Sequence, residues 1–122
     1  ERRFLYSYWR EIEKFALEVN LVTPSDGLVY ANEAIYFAAQ RLPPPGLENS
    51  HAFALHLPPA FARSLHIVPQ SQIDEWLAAG YFDTVVLGID DPDVARFNMT
   101  GIYAKSKKIH LYGSTNYLFW KR

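Results

Sequence analysis

The chain opens in a hydrophobic rhythm of three to four residues and closes in a rhythm of two. In SYWREIEKFALEVN, residues 7–20, apolar Trp9, Ile12, Phe15, Ala16 and Val19 recur at helical spacing, with Glu11, Glu13, Lys14 and Glu18 between them. That spacing predicts an amphipathic helix over 8–20. Pro24, Asp26 and Gly27 mark a turn, and Leu28-Val29-Tyr30 reads as a short strand. Asn32 is placed to cap a second helix over 32–42, with Glu33 in its first turn and the PPPG run at 43–46 as its stop. HAFALHL, 51–57, alternates as a strand, and Pro58-Pro59 opens a short helix at AFARSL. A third helix is expected over 72–79, capped by Ser71 with Asp74 three residues on and closed by Gly80. FDTVVLGI, 82–89, is apolar enough for a central strand. Beyond it GIYAK, KIHLY and NYLFWK alternate in short pieces, with turns expected at Ser106-Lys107 and at Gly113-Ser114-Thr115. Helices come early and strands late, so the class is α+β, with N-terminal helices packed on a mainly antiparallel C-terminal sheet.

Composition narrows this picture. A length of 122 residues with 49% hydrophobic content makes one globular domain, 1–122. The opening ERRFLYSYWREIEKF is charged, lacks the apolar centre of a signal peptide and has no initiator methionine, so a domain excised from a longer chain is expected. No apolar run approaches the ~20 residues of a membrane span. Cysteine is absent, which excludes disulfides, thiolate chemistry and cysteine zinc sites. Asn98-Met99-Thr100 is a glycosylation triplet of a kind that chance supplies often.

Charge changes the picture more. The net charge is −1, yet residues 1–95 hold six Lys/Arg against thirteen Asp/Glu, a charge of −7. Arg96, Lys105, Lys107, Lys108, Lys121 and Arg122 then give the last 27 residues +6 with no acid. Such asymmetry fits either a polyanionic partner, RNA in particular, or basic strands packed beside acidic helices.

The candidate chemistry lies in four histidines and the terminal stretch KKIHLYGSTNYLFWKR. His51, His56, His66 and His110 titrate near neutral pH, and a pair of such groups can cleave a phosphodiester without metal. One takes the 2′-hydroxyl proton, the other protonates the leaving oxygen, and a lysine steadies the phosphoryl charge. No HxH or HExxH spacing exists, and Asp90, Asp91 and Asp93 around Pro92 read as a solvated turn, so neither metal nor cofactor is expected. On the terminal strands Thr115 and Tyr117 share a face, as do His110 and Tyr112 opposite Ile109 and Leu111. A hydroxyl and a ring there can hold a base, with Lys107, Lys108 or Lys121 on phosphate. The same rings can instead serve as cross-strand pairs.

Thr115-Asn116-Tyr117 on a late strand, with two earlier histidines and an intervening lysine, resembles the EndoU-like and RNase A-like metal-independent ribonucleases of bacterial-toxin type. The resemblance implies RNA cleavage to a 2′,3′-cyclic phosphate in the cytosol. His51 and His66 would be base and acid, with His56 and His110 as substitutes. Lys107 or Lys108, or else Lys105, would sit on phosphate, and Thr115 and Tyr117 would bind substrate. GLVYANEAIYFAAQ resembles the middle motif of ADP-ribosyltransferases, but the late glutamate of those enzymes has no counterpart after Glu75. A third class is a non-catalytic immunity or interaction protein that docks a protein partner through its charged faces.

Overall fold

The computed structural model describes residues 2–43, 68–111 and 113–121. The strand expected at 51–57 and the helix at 60–65 lie outside them. The described elements are α1 (Arg2–Val22), β1 (Val29–Tyr30), α2 (Glu33–Ala39), α3 (Gln70–Ala79), β2 (Thr84–Gly88), α4 (Asp93–Arg96), α5 (Met99–Ile102), β3 (Lys105–Leu111) and β4 (Ser114–Trp120). The class is α+β, as the change of period predicts.

The four strands form one sheet in the order β1-β2-β4-β3. β2 runs parallel to β1 and antiparallel to β4, and β3 is antiparallel to β4. The sheet is therefore mixed, with its parallel pair contributed by the early Val29-Tyr30. β2 is buried along Thr84–Leu87, as its apolar run requires of a central strand.

Two cores lie on opposite faces, because alternate residues of β2 and β4 point to opposite sides. Val86 and Leu118 join Ile12, Phe15 and Val19 of α1 and Ile35 and Tyr36 of α2. Val85, Leu87 and Phe119 join Ile73 and Leu77 of α3, with Phe82, Met99 and Tyr103. Burial satisfies the tyrosine hydroxyls internally. Tyr36 donates to the Val29 carbonyl at 2.7 Å and accepts from the Ala31 amide at 3.0 Å, and Tyr103 donates to the Phe82 carbonyl at 2.8 Å. Desolvation raises the pKa of both.

The ends of α1 and α2 are joined by Arg41. Its guanidinium donates to Asn20 Oδ1 at 2.6 Å, the Thr23 carbonyl at 3.2 Å and the Gly27 carbonyl at 3.3 Å. Asn20 in turn donates to the Ala39 carbonyl at 3.1 Å. Beneath this clamp the Thr23 and Thr84 hydroxyls meet at 2.6 Å.

Several local expectations are met. Asn32 caps α2, its side chain accepting from the Ile35 amide at 3.1 Å. Gly80 ends α3 in a left-handed conformation with φ of 67°, and a side chain there would meet Ile102. Others are corrected. α1 begins at Arg2, and its inward position goes to Tyr8, whereas Trp9 is exposed. α2 stops at Ala39, ahead of the prolines, because Gln40 turns left-handed and its amide bonds back to Phe37 and Tyr36. α3 starts directly after Pro69, so Ser71 lies inside it. Asp74 is no cap: it accepts from Gln70 at 2.8 Å and from Arg96 at 3.1 Å. GIYAK is not a strand. Its first two residues finish α5, and Tyr103 is drawn into the core. Ser106-Lys107 is no turn either, since β3 runs unbroken from Lys105 to Leu111. An exposed edge strand carries the polar residues that otherwise signal a turn. Gly113, with φ of 79°, belongs to the second turn, but Ser114 and Thr115 already belong to β4.

Candidate binding surfaces

The antiparallel register of β3 on β4 opposes Lys108 to Tyr117 and His110 to Thr115. Period-two alternation puts all four side chains on one face of the hairpin. His110 Nδ1 and Thr115 Oγ1 are 3.0 Å apart, and the Lys108 ammonium stands 5.8 Å from the centre of the Tyr117 ring. Tyr117 is half-buried and packs 5.2 Å from Phe119, so its ring is shared between core and surface. The structure thus brings together Lys108, His110, Thr115 and Tyr117. Lys107 projects from the opposite face, where its ammonium pairs with Glu18 of α1 at 3.1 Å. The two adjacent lysines therefore serve different sides. His51, His56, His66 and Tyr112 lie outside the described residues.

The charge asymmetry is partly consumed within the molecule. Besides the Lys107–Glu18 pair, Arg96 bridges Asp74 at 3.1 Å and Asp93 at 3.7 Å. Among the described residues Arg96 and Lys107 are thus engaged by acids of the early segment or the 90–93 turn, and the Lys107 pair sets a basic strand beside an acidic helix. In that turn Asp91 accepts from the Asp93 amide at 2.9 Å. Burial, and then Asp91, raises the Asp93 carboxyl, which Arg96 pulls back down. Burial also pushes the nearby Tyr30 hydroxyl up to about 12, with Asp93, Asp91 and Asp74 adding to the shift. Among the described residues no three acids or histidines converge as metal ligands. Glu75 is exposed on α3 beside Gln72.

A second surface escaped the sequence reading. α1 carries Trp9, Glu13, Leu17 and Leu21 at intervals of four, on its solvent side. Trp9 is 41%, Leu17 63% and Leu21 80% exposed, and Phe37 of α2 is 77% exposed beside them. The Trp9 and Phe37 rings meet edge to face at 6.2 Å. Between the helices runs a groove of about 570 Å³ lined by Trp9, Glu13, Leu17, Phe37, Ala38 and Gln40. Clustered exposed apolar side chains of this size are uncommon on surfaces that meet only water. A signal was present: the second i, i+4 series through Leu17 and Leu21 gives α1 more apolar positions than one inward face can use. No family model matches the chain, and no curated protein or solved structure matches it either.

Proposed function

We propose that this chain is a non-catalytic interaction domain that docks a protein partner through the outer face of α1 and α2. The observation that supports the reading is the exposed Trp9, Leu17 and Phe37 side chains that line one groove, with exposed Leu21 one turn further along α1. Aromatic anchors beside aliphatic ones in a shallow groove are the elements from which binding hot spots are built. Glu13, within the groove, adds a charge that favours a basic group on the partner. The test is capture of a partner from cells producing the parent protein, followed by reconstitution from purified components. Leu17→Ser with Phe37→Ser should weaken the reconstituted complex by about 1,000-fold, because each anchor contributes on the order of 2 kcal/mol. Lys107→Ala with Lys108→Ala should leave it within about threefold, as rim charges do. The reverse pattern would overturn the assignment to the apolar face.

A second reading, a metal-independent ribonuclease, is favoured by the hairpin cluster of Lys108, His110, Thr115 and Tyr117. In this reading the hairpin binds single-stranded RNA and His51 and His66 transfer protons. Lys108→Ala and Tyr117→Phe should then weaken RNA binding at ~50 mM salt, where phosphate contacts are favoured. His51→Ala and His66→Ala should abolish turnover and spare binding. Absence of any RNA binding at that salt would remove this reading.

A further inference from the structure

Among the described residues β3 is the terminal strand in the sheet order, so one of its edges faces away from β4. Which of its backbone groups point outward follows from the strand beyond. The Ile89 amide donates to the Thr115 carbonyl at 3.0 Å, so Thr115 spends its carbonyl on the β2 side. In an antiparallel ladder, wide and narrow pairs alternate, and a residue whose groups face one neighbour does not bond the other. His110, opposite Thr115, therefore directs its own amide and carbonyl to the outer edge. Two and four residues back, Lys108 and Ser106 do the same. The side chains of these residues lie on the Thr115–Tyr117 face, with Lys108 over the Tyr117 ring. Half-buried Ile109 and exposed Lys107 lie on the other face, and a groove of about 370 Å³ runs between β3, from Lys107 to His110, and Glu11, Lys14, Phe15 and Glu18 of α1.

We propose that the outer edge of β3 accepts an extended acidic segment of another protein as a fifth, antiparallel strand. The segment alternates acidic and apolar residues. Its acids sit opposite Ser106, Lys108 and His110, and the one opposite Lys108 meets a side chain of unlike charge, a pairing that attracts. Its apolar residues turn toward Ile109 and the groove beside α1. Main-chain bonds to Ser106, Lys108 and His110 supply the affinity, and the alternation supplies the choice of partner. A second copy of β3 fits poorly, because a strand centred on Lys108 would oppose Lys108 to itself. The same lysines that guard the edge against self-pairing thus select an acidic visitor. This inference does not depend on the apolar face of α1 and α2.

The test uses the whole chain and a blocked, fluorescently labelled seven-residue peptide of alternating glutamate and valine, read by anisotropy. Two further peptides carry N-methyl groups, either on the glutamates or on the valines. Methylated glutamates remove the amides that meet β3, so binding should weaken about tenfold or more, while methylated valines should leave it within about twofold. Ser106→Pro removes an outward amide at an edge position where proline is tolerated, and should weaken the peptide by about tenfold with an unchanged circular dichroism spectrum. Lys108→Glu should weaken it further. Equal binding of the two methylated peptides, or no binding of the parent peptide, would overturn the proposal. So would an oligouridylate that displaces the peptide and binds Ser106→Pro as well as the parent, since that marks a surface reading phosphate rather than a strand.

Discussion

Helix α1 presents two apolar faces, and among the described residues only one packs into a core. Inward, Ile12, Phe15 and Val19 are fully buried against β2, β4 and α2. Outward, Trp9, Leu17 and Leu21 reach solvent beside Phe37. The residue types are alike, so hydrophobicity does not separate them. Position does: the inward set has the sheet above it, and the outward set lies at the surface, where Trp9 meets the rings of Tyr8 and Phe37. The core of the described residues accounts for the first set, and the second is the surface proposed to meet a partner.

Substitutions should separate the two faces by energy. Phe15→Ala removes a buried ring from the α1 core and should cost about 3–5 kcal/mol in urea unfolding. A loss below ~1 kcal/mol would show that the inward face packs loosely and would dissolve the comparison. Arg41→Ala comes next, because it unfastens the two helices that form the outer face. It leaves the Thr23 and Gly27 carbonyls and Asn20 without their donor, and should cost about 2 kcal/mol. Arg41→Lys should recover only part of this, since one ammonium does not reproduce a three-way fork.

Alkaline titration probes the inward faces on both sides of the sheet. Tyr36 lies in one core and Tyr103 in the other, with Tyr30 packed against the second, and all three have raised pKa values caused first by burial. The unfolded chain therefore ionises first. The stability held by these neutral hydroxyls is complete below pH 10 and is lost as pH rises from 10 through the folded value of about 12 for Tyr30. Urea midpoints measured between pH 9 and 12, a window set by these pKa values, should fall steadily above 10. Flat midpoints would contradict the burial of these groups. The smallest effects belong outside. Leu17→Ser and Phe37→Ser should each change stability by no more than ~0.5 kcal/mol, and Thr115→Val, which takes the hydroxyl from His110, by a similar amount. A large loss from Leu17→Ser would place that residue in the core rather than at an interface.

The fold was legible where a pattern had one cause. β2 is apolar because it is central, and α2 starts at Asn32 because that side chain satisfies a first-turn amide. Legibility failed where two causes produce the same residues. Ser106-Lys107 reads as a turn because turns and exposed edges are both polar. Ser71 reads as a cap because serine caps helices, although Pro69 already holds that position. The parallel pairing of β1 has no local signal, since two residues, Val29 and Tyr30, are recruited by a strand more than fifty positions away. Of the candidate site, the face shared by His110, Thr115 and Tyr117 followed from alternation alone. The separation of Lys107 from Lys108 follows from the same rule, and treating the two as interchangeable concealed it. The outer face of α1 was missed because one helical stripe was read, and a helix of 21 residues had room for two.

Photo-crosslinking scanned along α1 tests the docking face most directly. A benzophenone side chain is placed in turn at Trp9, Glu13, Leu17 and Leu21, and at Arg10, Lys14 and Glu18 as helical neighbours pointing elsewhere. Each variant is irradiated in cells that make the parent protein. Docking through the outer face predicts one discrete protein adduct, strong at 9, 13, 17 and 21, weak at 10, 14 and 18, and lost when Phe37→Ser is added. Adducts of equal yield at every position, or none at Leu17, would contradict it.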